Sequence, residues 1–223
     1  MLLLAFDTAT PAVTVALHDG AHVLAETAEV DARRHGELLL PSVDRVLREA
    51  GVELPEVTGL VVGVGPGPYT GLRVGLVTAQ VFGSAHGIPV HGLCTLDGIA
   101  YAAGLDAPFV VATDARRKEV YWARYADART RLGEPAVDRP AELPADVAGL
   151  PAVGAGAQLY ETAFGQVRTD LPAHQSAAAL AALAAERLAA GPDARAGFLP
   201  PRPLYLRRPD AQVPANYKVV TPR

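Results

Sequence analysis

The residues best suited to chemistry in this chain are Gly65-Pro66-Gly67-Pro68-Tyr69-Thr70-Gly71-Leu72-Arg73-Val74-Gly75. They follow an apolar run at 59–64 that reads as a buried strand, and they precede a helical stretch carrying Val77, Ala79, Val81 and Phe82. A glycine-rich strand-to-helix turn lets backbone come close to a ligand or to another segment. Glycine tolerates positive φ and has no Cβ, while free N–H groups at a helix start favour an anion. The spacing excludes the two common phosphate loops. A dinucleotide fingerprint needs Gly or Ala where Thr70 stands, and a P-loop needs Lys where Leu72 follows Gly71. What remains is a turn stiffened by Pro66 and Pro68, with a hydroxyl at Thr70 suited to capping the helix and a guanidinium at Arg73 in its first turn. A tight turn whose glycines serve packing alone is the competing reading.

Composition removes several other chemistries. The chain has 223 residues, of which 50% are apolar, so a substantial core forms without staples. Its net charge of −4 gives no basic field, and Lys and Arg are scattered apart from Arg116-Arg117-Lys118 and the C-terminal end. Autonomous nucleic-acid binding is therefore not expected. Cys94 is the single cysteine, which rules out an internal disulfide and reads as a small core residue. No Gly-x-Ser-x-Gly elbow or metallopeptidase helix is present, and no base can be assigned to Cys94, so no peptidase constellation exists. The N-terminal apolar run lacks a positive flank and is too short for a signal peptide or membrane span, so a cytoplasmic protein is expected.

The elements that must position these residues follow from hydrophobic periodicity. Residues 2 to 6 read as a buried strand ending at Asp7-Thr8-Ala9-Thr10-Pro11; residues 12 to 17 put Val13, Val15 and Leu17 on one face; Asp19-Gly20 signals a hairpin into 22 to 30. Residues 36 to 50 form an amphipathic helix ended by Gly51, with Pro41 suggesting a start nearer that residue. After the glycine loop and its helix come a strand at 88 to 93 and a helix near 96 to 103. The pattern then starts again. Residues 109 to 113 are a buried strand ending at Asp114, and six residues after each aspartate a valine opens a second strand, Val13 and Val120, at an offset of 107 residues. Residues 133 to 151 read as loop, 152 to 157 as a strand entering a glycine turn, and Ser176 opens a helix that stops at Gly191-Pro192; the tail after Leu199 is expected on the surface. The division expected is 1–104 for an N-terminal subdomain and 105–223 for a reduced C-terminal subdomain with a surface tail.

A duplicated unit in which each half begins with strand, Asp and turn resembles the actin-like (ASKHA, ribonuclease H-like) fold, an α/β class with two subdomains and mixed sheets. Five segments make the resemblance specific: Leu4-Ala5-Phe6-Asp7-Thr8-Ala9-Thr10, Arg34-His35-Gly36-Glu37-Leu38-Leu39-Leu40-Pro41, Gly65 to Gly75, Asp114-Ala115-Arg116 with Glu119-Val120-Tyr121-Trp122, and Tyr205-Leu206-Arg207. Together they resemble the TsaB family, formerly called YeaZ. The likeness is specific from residue 1 to about 125 and more general after that. It implies a bacterial protein needed for N6-threonylcarbamoylation of adenosine 37 in tRNAs that read codons beginning with A. In that family the protein is a partner: the related subunit TsaD carries out the transfer, and an ATPase subunit, TsaE, joins the assembly.

Several residues bear on that expectation. TsaD-type proteins are expected to hold iron or zinc with a His-x-x-x-His pair on one helix. His18 and His22 have that spacing but flank the Asp19-Gly20 turn, His86 and His91 are separated by Gly87 and Pro89, and His35 and His174 are isolated, so no metal site is expected. In ATP-using members of the fold the first Asp orients hydrated Mg²⁺ beside a Gly-Thr turn. Here Ala9 stands where that glycine is expected, and Asp114 is followed by Ala115-Arg116-Arg117. Asp7, Thr8, Thr10, Gly65, Gly67, Thr70 and Gly71 are therefore read as a vestigial or shared nucleotide site, with no cofactor held by this chain alone and a nucleotide placed at the partner interface. The resemblance assigns the helices at 36 to 50 and after the glycine loop to contact with TsaD, or with a second copy of the chain; the residues assigned are His35, Leu38, Leu39, Val43, Leu47, Thr70, Arg73, Val74 and Val77. Leu38, Leu39 and Leu40 are consecutive, so they cannot all face one core and at least one is expected to be exposed. The reading is a non-catalytic subunit that reaches tRNA only through the complex and touches no membrane. The alternative is a small actin-like ATPase or kinase. Contact between tRNA and Arg116, Arg117 and Lys118 stays open.

Overall fold

Alternating and continuous apolar runs build two sheets of five strands each, and they do so in the same order twice. The structure is a computed structural model that describes residues 1–191 and 197–207. The first sheet opens with β1 (Leu3–Asp7), β2 (Ala12–His18) and β3 (Val23–Val30), with β2 antiparallel to both β1 and β3. After helix α1 (His35–Ala50), β4 (Gly59–Gly63) adds in parallel to β1, and after α2 (Tyr69–His86), β5 (Val90–Leu93) adds in parallel to β4. Helix α3 (Thr95–Ala103) leads to the second half: β6 (Phe109–Asp114), β7 (Val120–Asp127), β8 (Thr130–Asp138), α4 (Ala145–Ala148), β9 (Pro151–Val153), α5 (Ala155–Leu159), β10 (Gln166–Val167) and α6 (Ala177–Ala189). The sheet orders β3-β2-β1-β4-β5 and β8-β7-β6-β9-β10 correspond strand by strand, with the same parallel and antiparallel pairings.

The repeat extends to the turns that end the first strand of each half. Asp7 Oδ1 accepts from Ala9 N at 2.6 Å, and Asp114 Oδ1 accepts from Arg116 N at 2.8 Å. This is the duplicated actin-like α/β plan, and it accounts for the 107-residue offset. Strand periodicity then dictates the layers. Leu4, Phe6, Leu60 and Val62 point to α1 and α2, while Leu3, Ala5 and Val61 point to α6. In the second sheet Phe109, Val111, Ala123 and Tyr125 meet α3; Val110 and Ala112 meet Val147 of α4 and Ala157 of α5. Helices α3 and α6 thus share the layer between the two sheets. A chain boundary at 104/105 separates the sheets, but α6 crosses back to the first sheet and α3 reaches forward to the second.

Several local expectations change. Helix α1 starts at His35 rather than near Pro41; Pro41 sits within the helix on its exposed side, where only one backbone bond is lost. Thr70 does not cap α2. The capping position is Pro68, without a side-chain bond, and Thr70 lies inside the first turn. Residues 133 to 138 continue β8 instead of forming loop, and the strand expected from 88 begins at Val90. Ser176 does cap α6, accepting from Ala179 N at 3.2 Å. The segment after Leu199 docks as a strap: Leu199 N donates to Gly92 O at 2.9 Å, Leu204 N to Val64 O at 2.8 Å and Gln80 Nε2 to Pro201 O at 2.9 Å. The remainder of the expected surface tail, 208–223, lies outside the described residues.

Candidate functional site

The glycine loop is pressed onto the turn that follows β1. Thr8 Oγ1 donates to Gly71 O at 2.7 Å and accepts from Gly75 N at 3.0 Å, which ties the turn to the first two turns of α2. A Cβ at Gly67 would overlap the Ala9 carbonyl, one at Gly71 the Thr8 carbonyl, and one at Gly63 the Asp7 carboxylate. Gly65, at φ +99, also needs the left-handed region. Gly67 and Gly71 thus admit the chain's own backbone, and Gly63 its own Asp7 side chain.

Asp7 lies beneath this contact, fully buried. Its Oδ1 accepts from Ala9 N, and its Oδ2 accepts from Thr95 Oγ1 at 2.7 Å; Thr95 Oγ1 in turn accepts from Gly65 N at 3.1 Å. Burial raises its pKa to about 6, against which the two hydrogen bonds act. Thr10 Oγ1 donates to Gln175 Oε1, while Gln175 Nε2 donates to Ala12 O at 2.9 Å, joining the turn to the segment before α6. Asp7 and both hydroxyls of the expected nucleotide turn thus have partners inside the protein.

The expected site residues divide into two layers. Thr10, Thr70 and Gly71 line a cleft of about 230 Å³ together with Arg33, His35, Asp114 and Arg116, whereas Asp7, Thr8, Gly65 and Gly67 lie behind it. His35 Nε2 donates to the Thr10 carbonyl at 2.7 Å, which fixes the start of α1 over the turn. Across the cleft the Arg116 guanidinium is 3.6 Å from the Asp114 carboxylate. The cleft brings two threonines, a histidine, two arginines and an aspartate to one place.

Four of the residues assigned to partner contact are instead in the chain's own core. Leu38, Leu39, Val43 and Leu47 are buried in one core with Val13, Val15 and Leu17 of β2, because the stripe of α1 that carries them faces the sheet. Val74 is half-buried against the same core, and His35 is half-buried. Thr70, Arg73 and Val77 are exposed. The exposed apolar side chains of the two helices are Leu40 (53%), Tyr69 (59%), Val77 (49%) and Val81 (56%). Tyr69, Arg73, Val77 and Val81 recur every four residues, so they form one winding stripe, and Val77 and Val81 line an open groove of about 380 Å³ with Gln80, Ser84 and Ala85. Sequence reasoning named Val77 but missed Leu40, Tyr69 and Val81. The triple leucine required one exposed member, and continuing the i, i+4 rule from Val77 reaches the other two.

Cys94 is buried, and desolvation raises its thiol far above the usual range, which leaves it unreactive. Among the described residues no three His, Cys, Asp or Glu side chains are grouped as metal ligands, and no helix is long and apolar enough to cross a membrane.

Comparison with known proteins adds to this geometry. A family model described as "TsaD: tRNA N6-adenosine threonylcarbamoyltransferase" matches residues 22–215. A solved structure of YeaZ from Pseudomonas aeruginosa aligns with a TM-score of 0.77 at 31% identity, covering 92% of this chain and 99% of that one. A Mycobacterium leprae protein is 43% identical over 216 residues, 95% of this chain and 56% of its own length. The protein of Escherichia coli K12 described as "tRNA threonylcarbamoyladenosine biosynthesis protein TsaB" is 38% identical over 128 residues, 56% of this chain and 55% of its own length. The alignments span just over half the length of these last two relatives.

Proposed function

The chain belongs to the TsaB (YeaZ) family, and from that premise we propose that it is a non-catalytic subunit in the synthesis of N6-threonylcarbamoyladenosine at position 37 of tRNA. It associates with TsaD, which performs the transfer, in an assembly joined by TsaE. The observation that carries this reading is the packing of Gly67, Gly71 and Gly75 on Thr8 and Ala9. The glycine loop covers the Thr8–Ala9 turn with the chain's own backbone, and Asp7 faces Thr95 and Gly63 instead of solvent, which supports a chain that holds no phosphate of its own. The exposed Val77 and Val81 of the α2 groove, with Leu40 on the neighbouring helix, support helix-to-helix docking of TsaD, or of a second copy when the chain is alone. A nucleotide held mainly by TsaD meets this chain at the cleft lined by Thr10, Thr70 and Gly71.

The second reading, a small ATPase or kinase, is favoured by the Arg33 and Arg116 guanidinium groups at that cleft. Calorimetric titration with ATP and Mg²⁺ separates the two. The proposed subunit gives no heat of binding until TsaD is added. Micromolar binding and phosphate release by the isolated chain establish the second reading.

A further inference from the structure

The C-terminal strap joins two exposed features into one surface. Tyr205 stacks on Tyr69 with ring centroids 5.5 Å apart and planes 19° apart, and Arg73 lies 5.1 Å from the centre of the Tyr69 ring. Tyr205 is 46% exposed, so both rings keep much of their area in solvent. Two residues further on, Arg207 Nη2 donates to the Arg116 carbonyl at 3.2 Å and pairs with Glu119. The strap therefore runs from the aromatic stack directly to the turn between β6 and β7.

That turn is held in a disfavoured conformation. Arg116, Arg117 and Lys118 have φ of 60°, 55° and 62°, three successive residues in the left-handed region where a Cβ crowds the backbone. Asp114 Oδ1 accepts from Arg116 N, Ala115 N donates to Glu119 O at 3.0 Å, and Glu119 N donates to Arg116 O at 3.0 Å, which fixes the turn from both sides. Gly or Asn at these positions would relieve the backbone. Three cations stand there instead, all exposed, on a chain whose net charge is −4. Strain retained at solvent-exposed charged residues points to selection for their side chains.

Exposed aromatic faces beside a short row of cations match the chemistry of unpaired RNA, whose bases stack and whose phosphates need counter-charge. We propose that unpaired nucleotides of the tRNA cross this surface in the assembled complex, with a base on the Tyr69–Tyr205 stack and phosphates at Arg116 and Lys118. The inference rests on the reading that this chain serves a tRNA-modifying assembly.

The test uses the full chain with TsaD and TsaE, an unmodified tRNA transcript and a series of KCl concentrations. The variant combines Lys118→Gln with Tyr205→Leu; assembly is followed by sedimentation and modification by its dependence on tRNA concentration. Expected are intact assembly, a KM for tRNA raised about tenfold with turnover at saturating tRNA retained, and a salt slope of log(kcat/KM) reduced by about 1 for the lost phosphate contact. Tyr205→Phe alone retains the wild-type KM. An assembled variant with unchanged KM and salt slope overturns the inference and leaves the proposed function standing. Loss of assembly with unchanged KM at excess TsaD also overturns it, assigning the surface to a protein. If the wild-type complex modifies no tRNA, the proposed function fails and the inference falls with it.

Discussion

Asp7 holds two turns together from inside the protein, and its ionisation works against the fold that contains it. Its pKa rises from 3.8 to about 6 through burial, so the folded state binds a proton more tightly than the unfolded chain does. This group's contribution to stability is greatest below pH 4 and is lost as pH rises through 6; the difference is about 3 kcal/mol. Asp7→Asn keeps the shape beside Gly63 and removes the charge. Urea unfolding is expected to find the variant more stable than the parent above pH 7, with the gap closing by pH 4; a gap independent of pH would contradict the assignment. Gly67 gives a second prediction at this scale. Gly67→Ala is expected to destabilise the fold by about 2 kcal/mol, because the new Cβ meets the Ala9 carbonyl, and a denaturation midpoint equal to wild type would show that the loop is open. The sequence made these residues visible as a set, since acid, hydroxyls and glycines fell at turns. It did not show that their partners were one another, because a glycine admits a ligand and a neighbouring backbone equally well.

Helices α1 and α2 show how far periodicity reaches at the scale of an element. The apolar positions of α1 were evident, and the αL residue Gly51 ends it as expected, at φ 66. Which stripe faces the sheet was not evident, because six of the positions from Leu38 to Leu47 are buried and the apolar arc spans nearly half the helix. Assigning Leu39 and Val43 to a partner therefore inverted the inside and outside of this helix. Charge substitutions separate the two faces. Leu39→Glu is expected to cost about 4 kcal/mol or more and unfold the chain, as an unpaired charge enters the core. Val81→Glu is expected to change stability by less than about 0.5 kcal/mol while weakening association with TsaD at least about tenfold. Circular dichroism melts and sedimentation together check both, and an unaltered association constant for Val81→Glu would remove the α2 groove from the interface.

At the scale of the whole molecule the two halves interlock. The duplication was legible because the Asp-ended strands recur; the exchange of α3 and α6 between lobes was not, since a helix's apolar face does not say which sheet it will cover. A charged cluster marks the crossing: Asp97 of α3 accepts from Tyr125 Oη at 2.9 Å and from Arg131 at 2.7 Å, with Arg187 of α6 at 3.8 Å. Asp97→Ala leaves the half-buried Arg131 without its closest partner and is expected to cost about 3 kcal/mol, with both lobes still melting in one calorimetric transition. Two separate transitions would show that the lobes fold independently. The proposed role for a molecule locked in this way, with the Thr8–Ala9 turn covered by its own backbone and an α2 face exposed, is that of a scaffold for another subunit's chemistry. Reconstitution of tRNA threonylcarbamoylation measures that directly. With TsaD and TsaE present, adding this chain is expected to switch on formation of the modified nucleoside, Val81→Glu to fail at the same concentration, and the chain without TsaD to give none. Turnover by this chain without TsaD, or full turnover by TsaD and TsaE in its absence, would contradict the account.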